Sequence, residues 1–317
     1  MKKLISVVLV CMFCALVPMN AGDDLTVVCT TTALETLVEA VGKEKVNVIS
    51  LVQPGVCPSH FDVRPSHVAD VGGASLVLYH GVEPWLEDLI KASQNEGIER
   101  VHVEGPWNTP DFAIAKIKLI QDALSEVDPE NADYYRKNAE TAVSEINVTA
   151  NTIKTEAETL EIDSVPVLCM EWQKSFVEWI GFDVAAAYAP PETLSIKDVN
   201  DLITTGREKE VVLVVDNLQS GTELGSEIAA QINGYHVVLT NFPDAVPETD
   251  TISKMLEYNA RQLFDAVTKY REEKGRISDL ESQLREEKWK RQVFEVLAAI
   301  LLVLCMVEAF VLYRRTR

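Results

Sequence analysis

Short apolar runs rich in β-branched residues alternate with amphipathic stretches along most of this chain, and few folds accept that pattern. Thr26–Thr30, Val46–Leu51, Ser75–Tyr79 and Glu99–Val103 read as strands. Between the first two, Thr32 caps a helix that carries Leu34, Leu37, Val38 and Val41 on one face and stops at Gly42. From Asp111 to about Leu160 the rhythm breaks into helix, with an apolar stripe of Ile114, Ile117, Ile120, Ala123 and Leu124. It then resumes with strands at Val165–Cys169, Val184–Ala187, Val211–Val215 and Tyr235–Leu239. Strand–helix alternation predicts parallel sheets covered by helices. The expected fold is α/β: two similar parallel-sheet lobes, 24–110 and 163–250, joined by one long helix, 111–160. A ligand would sit between the lobes, at the carboxyl ends of the strands.

The ends of the chain predict where it works. Residues 1–21 read as a signal peptide: Lys2 and Lys3, an apolar run from Leu4 to Val17, then Ala21-Gly22. Residues 251–292 hold no proline that would stop a helix, and Leu256, Leu263, Tyr270, Ile277 and Leu284 recur every seventh position. The second heptad strip fails at Lys274 and Glu281, so a helical stalk is expected, with a coiled-coil homodimer as the open alternative. Residues 293–313 are apolar and long enough to cross a bilayer. Arg314, Arg315 and Arg317 follow, which predicts a cytoplasmic tail at 314–317 and a body outside the cell. A net charge of −20 argues against nucleic acid as a partner. Without residues 1–21 the chain keeps only Cys29, Cys57, Cys169 and Cys305, which is no disulfide framework. Asn147-Val148-Thr149 is a glycosylation acceptor sequon.

The richest stretch for chemistry is Leu51 to His67, LVQPGVCPSHFDVRPSH, which leaves its strand through a Pro-Gly turn. It offers Cys57, His60, Asp62 and His67 at a strand end, where α/β scaffolds carry their sites. His60, Glu171 and Asp216 come from three different strand-end loops, and each can give a lone pair to a divalent ion. Cys57 can be a fourth donor. His67, His80, His102 and His236 sit at helix or strand positions that suit structural roles. Trp107 and Trp172 fall in the same cleft-facing loops, and indole faces would also suit an organic or cationic ligand. There is no His-Glu-x-x-His pair, no Gly-x-Ser-x-Gly elbow and no phosphate-binding glycine loop, so a protein that does no catalysis is expected.

Four stretches carry a family likeness. They are TTALETLVEAVGKEKVNVISLVQPGVCPSHFDVRPSHVADVGGASLVLYHGVEPWLEDLI, IQDALSEVDPENADYYRKNAE, FVEWIGFDVAAAYAPPETLSIKDVNDLI and VVLVVDNLQSGTELGSEIAAQI, with ALSEVDPENADYY the most specific run. Between about Leu25 and Phe264 the chain resembles the metal-binding solute receptors of ABC importers, the zinc and manganese group whose lobes are joined by one rigid helix. The resemblance implies zinc or manganese as transported ligand, and a membrane permease with its ATPase as partners. It also implies a ligand set, and here the sequence departs from the pattern. The family's first histidine follows a proline; here Ser59 takes that place and His60 comes one later, with Phe61 and Asp62 completing the motif. The second histidine is absent from Gly105-Pro106-Trp107-Asn108, and the third falls at Cys169-Met170-Glu171. The fourth ligand, a carboxylate, matches Asp216. The expected set is therefore His60, Glu171, Asp216 and Cys57, with Asp62, Trp107 and Trp172 on the cleft wall. Two alternatives stay open: an organic or cationic ligand in a Trp-lined cleft, or an envelope adhesin on the same scaffold.

Overall fold

The computed structural model describes residues 25–315. The expected signal segment, 1–21, and Arg317 lie outside these residues. Strands β1 (Leu25–Cys29), β2 (Val46–Ser50), β3 (Leu76–Tyr79) and β4 (Glu99–His102) form one parallel sheet in the order β2-β1-β3-β4. Strands β5 (Pro166–Met170), β6 (Asp183–Tyr188), β7 (Leu213–Asn217) and β8 (Tyr235–Leu239) form a second, ordered β6-β5-β7-β8. The two orders are the same permutation, so each lobe is one copy of a shared plan. Val27, Val28 and Cys29 are fully buried, as a central strand covered on both faces requires.

Helices α1 (Thr32–Gly42), α2 (Pro65–Gly72) and α3 (Leu86–Ser93) cover the first sheet. Thr31, one residue before the expected cap, accepts from the Leu34 backbone N–H and starts α1. The segment expected as one linking helix is two: α4 (Pro110–Val127) and α5 (Ala132–Thr159). Pro129 lacks the N–H that would continue α4. Asp128 Oδ2 holds the turn by accepting from Asn131 Nδ2 at 2.7 Å and Tyr135 Oη at 2.6 Å. The run DPENADYY thus encodes a corner. Both helices pack on α1, and α5, about 42 Å long at 1.5 Å per residue, carries the chain to the second lobe.

In that lobe α6 (Glu171–Ile180), α7 (Ile196–Glu208) and α8 (Glu223–Ile232) cover the second sheet. One apolar core runs through both lobes, joining Val27 and Leu34 to Ile117, Tyr135, Val167, Phe176 and Val215. The last helix, α9, runs unbroken over Ile252–Arg315. Its first turns belong to that core: Met255, Leu256, Leu263 and Val267 are fully buried. The expected stalk therefore starts later than 251. The heptad reading is corrected too, because Leu256 and Leu263 pack inside the protein and only Ile277 and Leu284, 58% and 55% exposed, face outward. Farther on, α9 is apolar enough to cross a membrane and no part of that window is buried.

Candidate functional site

A cavity of about 410 Å³ opens between the carboxyl ends of the two sheets. The first lobe contributes Cys57 and Ser59 from the loop after β2, His80 after β3, and Trp107 and Asn108 after β4. The second contributes Glu171 and Trp172 at the start of α6, Asn217 and Gln219 around the end of β7, and Asn241 and Phe242 after β8. The wall residues thus come from the loops and helix starts that follow the strands, as the alternating fold dictates.

The floor is a ring stack. His80 lies against Trp107 with ring centres 3.9 Å apart, and Trp107 against Phe242 at 5.5 Å. The His80 imidazole faces Val103 O through Nδ1 at 3.3 Å, which makes Nδ1 the donor. Nε2 then accepts from Thr31 Oγ1 at 2.9 Å. Burial drives its pKa down to about 3, helped by the nearby Lys116 ammonium, so the ring is neutral with both nitrogens engaged. Glu83 fixes the strand end beneath it, accepting from the backbone N–H groups of His80 at 3.0 Å and Gly81 at 2.7 Å.

Amide side chains stitch the lobes together above this floor. Trp107 Nε1 donates to Asn241 O at 2.5 Å. Asn108 Nδ2 donates to Trp172 O at 2.8 Å and to Asn241 Oδ1 at 3.0 Å. Gln219 Nε2 reaches Pro54 O in the opposite lobe at 2.9 Å. These acceptors fix the orientation of Asn108: turning its amide over would set oxygen against two oxygens. Its Oδ1 is buried and, among the described residues, meets no hydrogen-bond donor; the same is true of Gln173 Oε1.

Of the residues expected at the site, Cys57, Glu171, Trp107 and Trp172 line the cavity. His60 and Asp62 are exposed and lie outside the lining. The cause is a 3-10 turn at Pro58–His60, which holds Pro58 O under Trp85 Nε1 at 2.7 Å and Ser59 Oγ on Val82 O at 3.0 Å, so His60 falls beyond the wall. Asp216 also lies elsewhere. Along β7, Leu213 and Val215 face the shared core while Val214 faces the outer cluster of Leu168 and Ile228, so Asp216 points outward with Val214. It is fully buried there, accepting from Tyr188 Oη at 2.5 Å and paired with His236 Nε2 at 2.8 Å. Its neighbour Asn217 takes the cleft position. Among the described residues no group of three or more His, Cys, Asp or Glu side chains is placed to hold a metal ion. His67 acts structurally, its Nδ1 accepting from the Arg64 N–H at 3.0 Å. The amides Asn108, Asn217, Gln219 and Asn241 escaped the sequence reading; their signal was their place within a few residues of the apolar runs.

A profile of the family described as "ZnuA: Zinc-uptake complex component A periplasmic" matches residues 27–266. The manganese ABC transporter substrate-binding lipoprotein PsaA of Streptococcus pneumoniae is 25% identical over 145 residues, 38% of this chain and 47% of PsaA. The metal ABC transporter substrate-binding lipoprotein ScbA of Streptococcus cristatus is 20% identical over 283 residues, 79% of this chain and 91% of ScbA. The chain spans about half the length of the first curated relatives it matches. A periplasmic metal binding protein from Candidatus Liberibacter asiaticus superimposes with a TM-score of 0.67 at 19% identity, covering 77% of this chain and 99% of that one. At that identity the likeness is one of fold.

Proposed function

Because the chain belongs to the ZnuA family of periplasmic zinc-uptake components, we propose that it is an extracytoplasmic solute-binding receptor for a divalent metal. The metal is held between the lobes and handed to an ABC permease with its ATPase. The observation that carries this is the cleft itself, built from strand ends of both sheets in a chain matched by that family over both lobes. Capture and release make and break no covalent bond. Cys57 Sγ and the Glu171 carboxylate are the donors on the cleft wall, and Glu171 stands at the first residue of α6, where the helix dipole favours its charge. A thiolate favours zinc over manganese. The C-terminal part of α9 anchors the receptor in the membrane, which keeps it near the permease and raises its local concentration.

The test is metal content of the full chain purified from its native membrane. The reading predicts about one transition-metal ion per chain, falling to a small fraction in a Cys57→Ser/Glu171→Gln double variant of unchanged melting temperature. Equal metal content in wild type and variant would remove the cleft from consideration.

A further inference from the structure

We propose that the seam between the lobes is a proton-controlled latch: Glu35 and Glu39 of the first lobe face Asp244 of the second, and the seam holds while Glu35 carries a proton and loosens when it ionises. The device works whatever the cleft holds. Its frame is the turn that leaves β8. Asn241 and Phe242 stand in the cleft wall. The chain then passes over the first turn of α1, where Thr32 Oγ1 donates to Pro243 O at 2.8 Å, both residues being buried. Asp244 follows at once, and its N–H closes the turn on Thr249 O at 3.0 Å. Glu35 and Glu39 lie one and two helical turns beyond Thr32 on α1. The second lobe thus lays a carboxylate beside a helix that already carries two. The same turn accepts from Trp107 Nε1 at 2.5 Å and Asn108 Nδ2 at 3.0 Å through Asn241, so whatever lifts it also moves the cleft wall.

The charges around the seam do not balance. Glu35 meets Glu39 on its own helix, Asp244 on the turn, and the buried Cys29 thiol of β1 beneath it. Carboxylates four residues apart on a helix repel each other. Lys43, one turn farther along, offsets Glu39. Glu145 of α5 and Asp250, just before α9, line the recess that Glu39 and Lys43 share. Lys116 of α4 has its ammonium on Glu104 O at 2.6 Å. Acidic groups therefore outnumber basic ones on every side that packs against Glu35.

Linkage gives the direction. Burial first, then Glu39, with Asp244 adding to it, push Glu35 up to about 7 from an ordinary value of 4.5. Lifting the turn returns water to Glu35 and withdraws Asp244, so the open state holds the proton less tightly. Protons then favour the closed state. Its advantage is complete below about 4.5 and is lost as pH rises to about 7.

The experiment is hydrogen–deuterium exchange read by mass spectrometry on the full, metal-free chain in detergent micelles. Wild type and Glu35→Gln are compared at the same pH, so that the chemical exchange rate cancels. The reporter is segment 240–250, and the reference is β5, at the centre of the second sheet. The latch predicts that 240–250 exchanges well ahead of β5, because the turn opens without the whole fold. It predicts a wild-type to variant ratio in this segment near one at pH 5, rising to about three- to tenfold at pH 8. Asp244→Asn is a second variant at an exposed position, and asparagine accepts the left-handed backbone found there, φ 62°. It should slow exchange at pH 8 in the same direction and by less. A ratio that stays the same at both pH values overturns the latch. So does exchange of 240–250 at the rate of β5, since the turn would then open only with the whole fold. No effect from Asp244→Asn overturns it too, because Glu35 would then act without the second lobe. No metal enters the measurement, so failure here leaves the receptor reading to its own test.

Discussion

At the scale of single residues, the buried Asp216 is the clearest case of a polar group with a structural task. Its two oxygens hold Tyr188 and His236, and Gly225 lies so close that an added Cβ would sit 2.1 Å from Oδ2. Asp216→Ala should cost about 2–4 kcal/mol, since it empties a fully buried site and takes a partner from the buried Tyr188 and the part-buried His236, with metal content per folded chain unchanged; urea unfolding and metal analysis check both. The sequence could not place this residue because β7 was expected to end at Val215 and in fact runs to Asn217. An Asp-Asn pair has low strand propensity and reads as loop; pairing with Val238 and Leu239 of β8, and the contacts of Asp216 to Tyr188 and His236, keep it in the sheet. A second residue gives the fold a pH signature. Burial, then the neighbouring Glu39 and Asp244 carboxylates, push Glu35 up to about 7. The folded state therefore holds this proton more tightly than the unfolded chain, whose value is near 4.5. Stability is fullest below that lower value and falls as pH rises to about 7. With the group half exposed, the loss is about 1–2 kcal/mol. Glu35→Gln should flatten the urea midpoint across that window, and an unchanged slope would exclude Glu35 as its source.

At the scale of elements, α9 joins two jobs in one helix. Leu256 and Leu263 are fully buried in the shared core, whereas Ile277 and Leu284 face outward. Leu263→Ala should cost about 2–5 kcal/mol, and Leu284→Ala less than about 0.5 kcal/mol; thermal melts of the two variants separate them. A comparable loss from Leu284→Ala would mean that this face is covered by a partner. Periodicity alone could not make the distinction, because a seven-residue repeat looks the same whether its apolar face meets another chain or the lobes of its own. The corner at Asp128-Pro129 was similarly hidden: both flanking segments are strong helix formers, and one proline had to be weighed against them. The strands, by contrast, were legible to within about two residues, since buried β-branched runs have few alternatives in an α/β chain. The central loop was legible as part of the wall, but its 3-10 turn, set by contacts to Trp85 and Val82, decides that Cys57 lines the cleft and His60 does not.

At the scale of the whole molecule, a two-lobe body is fused to a helix about 96 Å long at 1.5 Å per residue, its first turns lying inside the core. From Val267, the last buried residue of α9, to Phe294 at the edge of the apolar window, the helix spans about 40 Å. A chain stopped after Gln292 should stay folded, because its core ends before the stalk, and should move from the membrane to the soluble fraction on ultracentrifugation. Sedimentation of the truncated chain with membranes would contradict the anchor. The central claim is that cargo metal sits between the lobes. Anomalous X-ray scattering at the zinc edge, from crystals grown with zinc, tests it most directly. The account predicts a peak in the cleft beside Cys57 and Glu171; a peak at Asp216–His236, or none in the cleft, would contradict it.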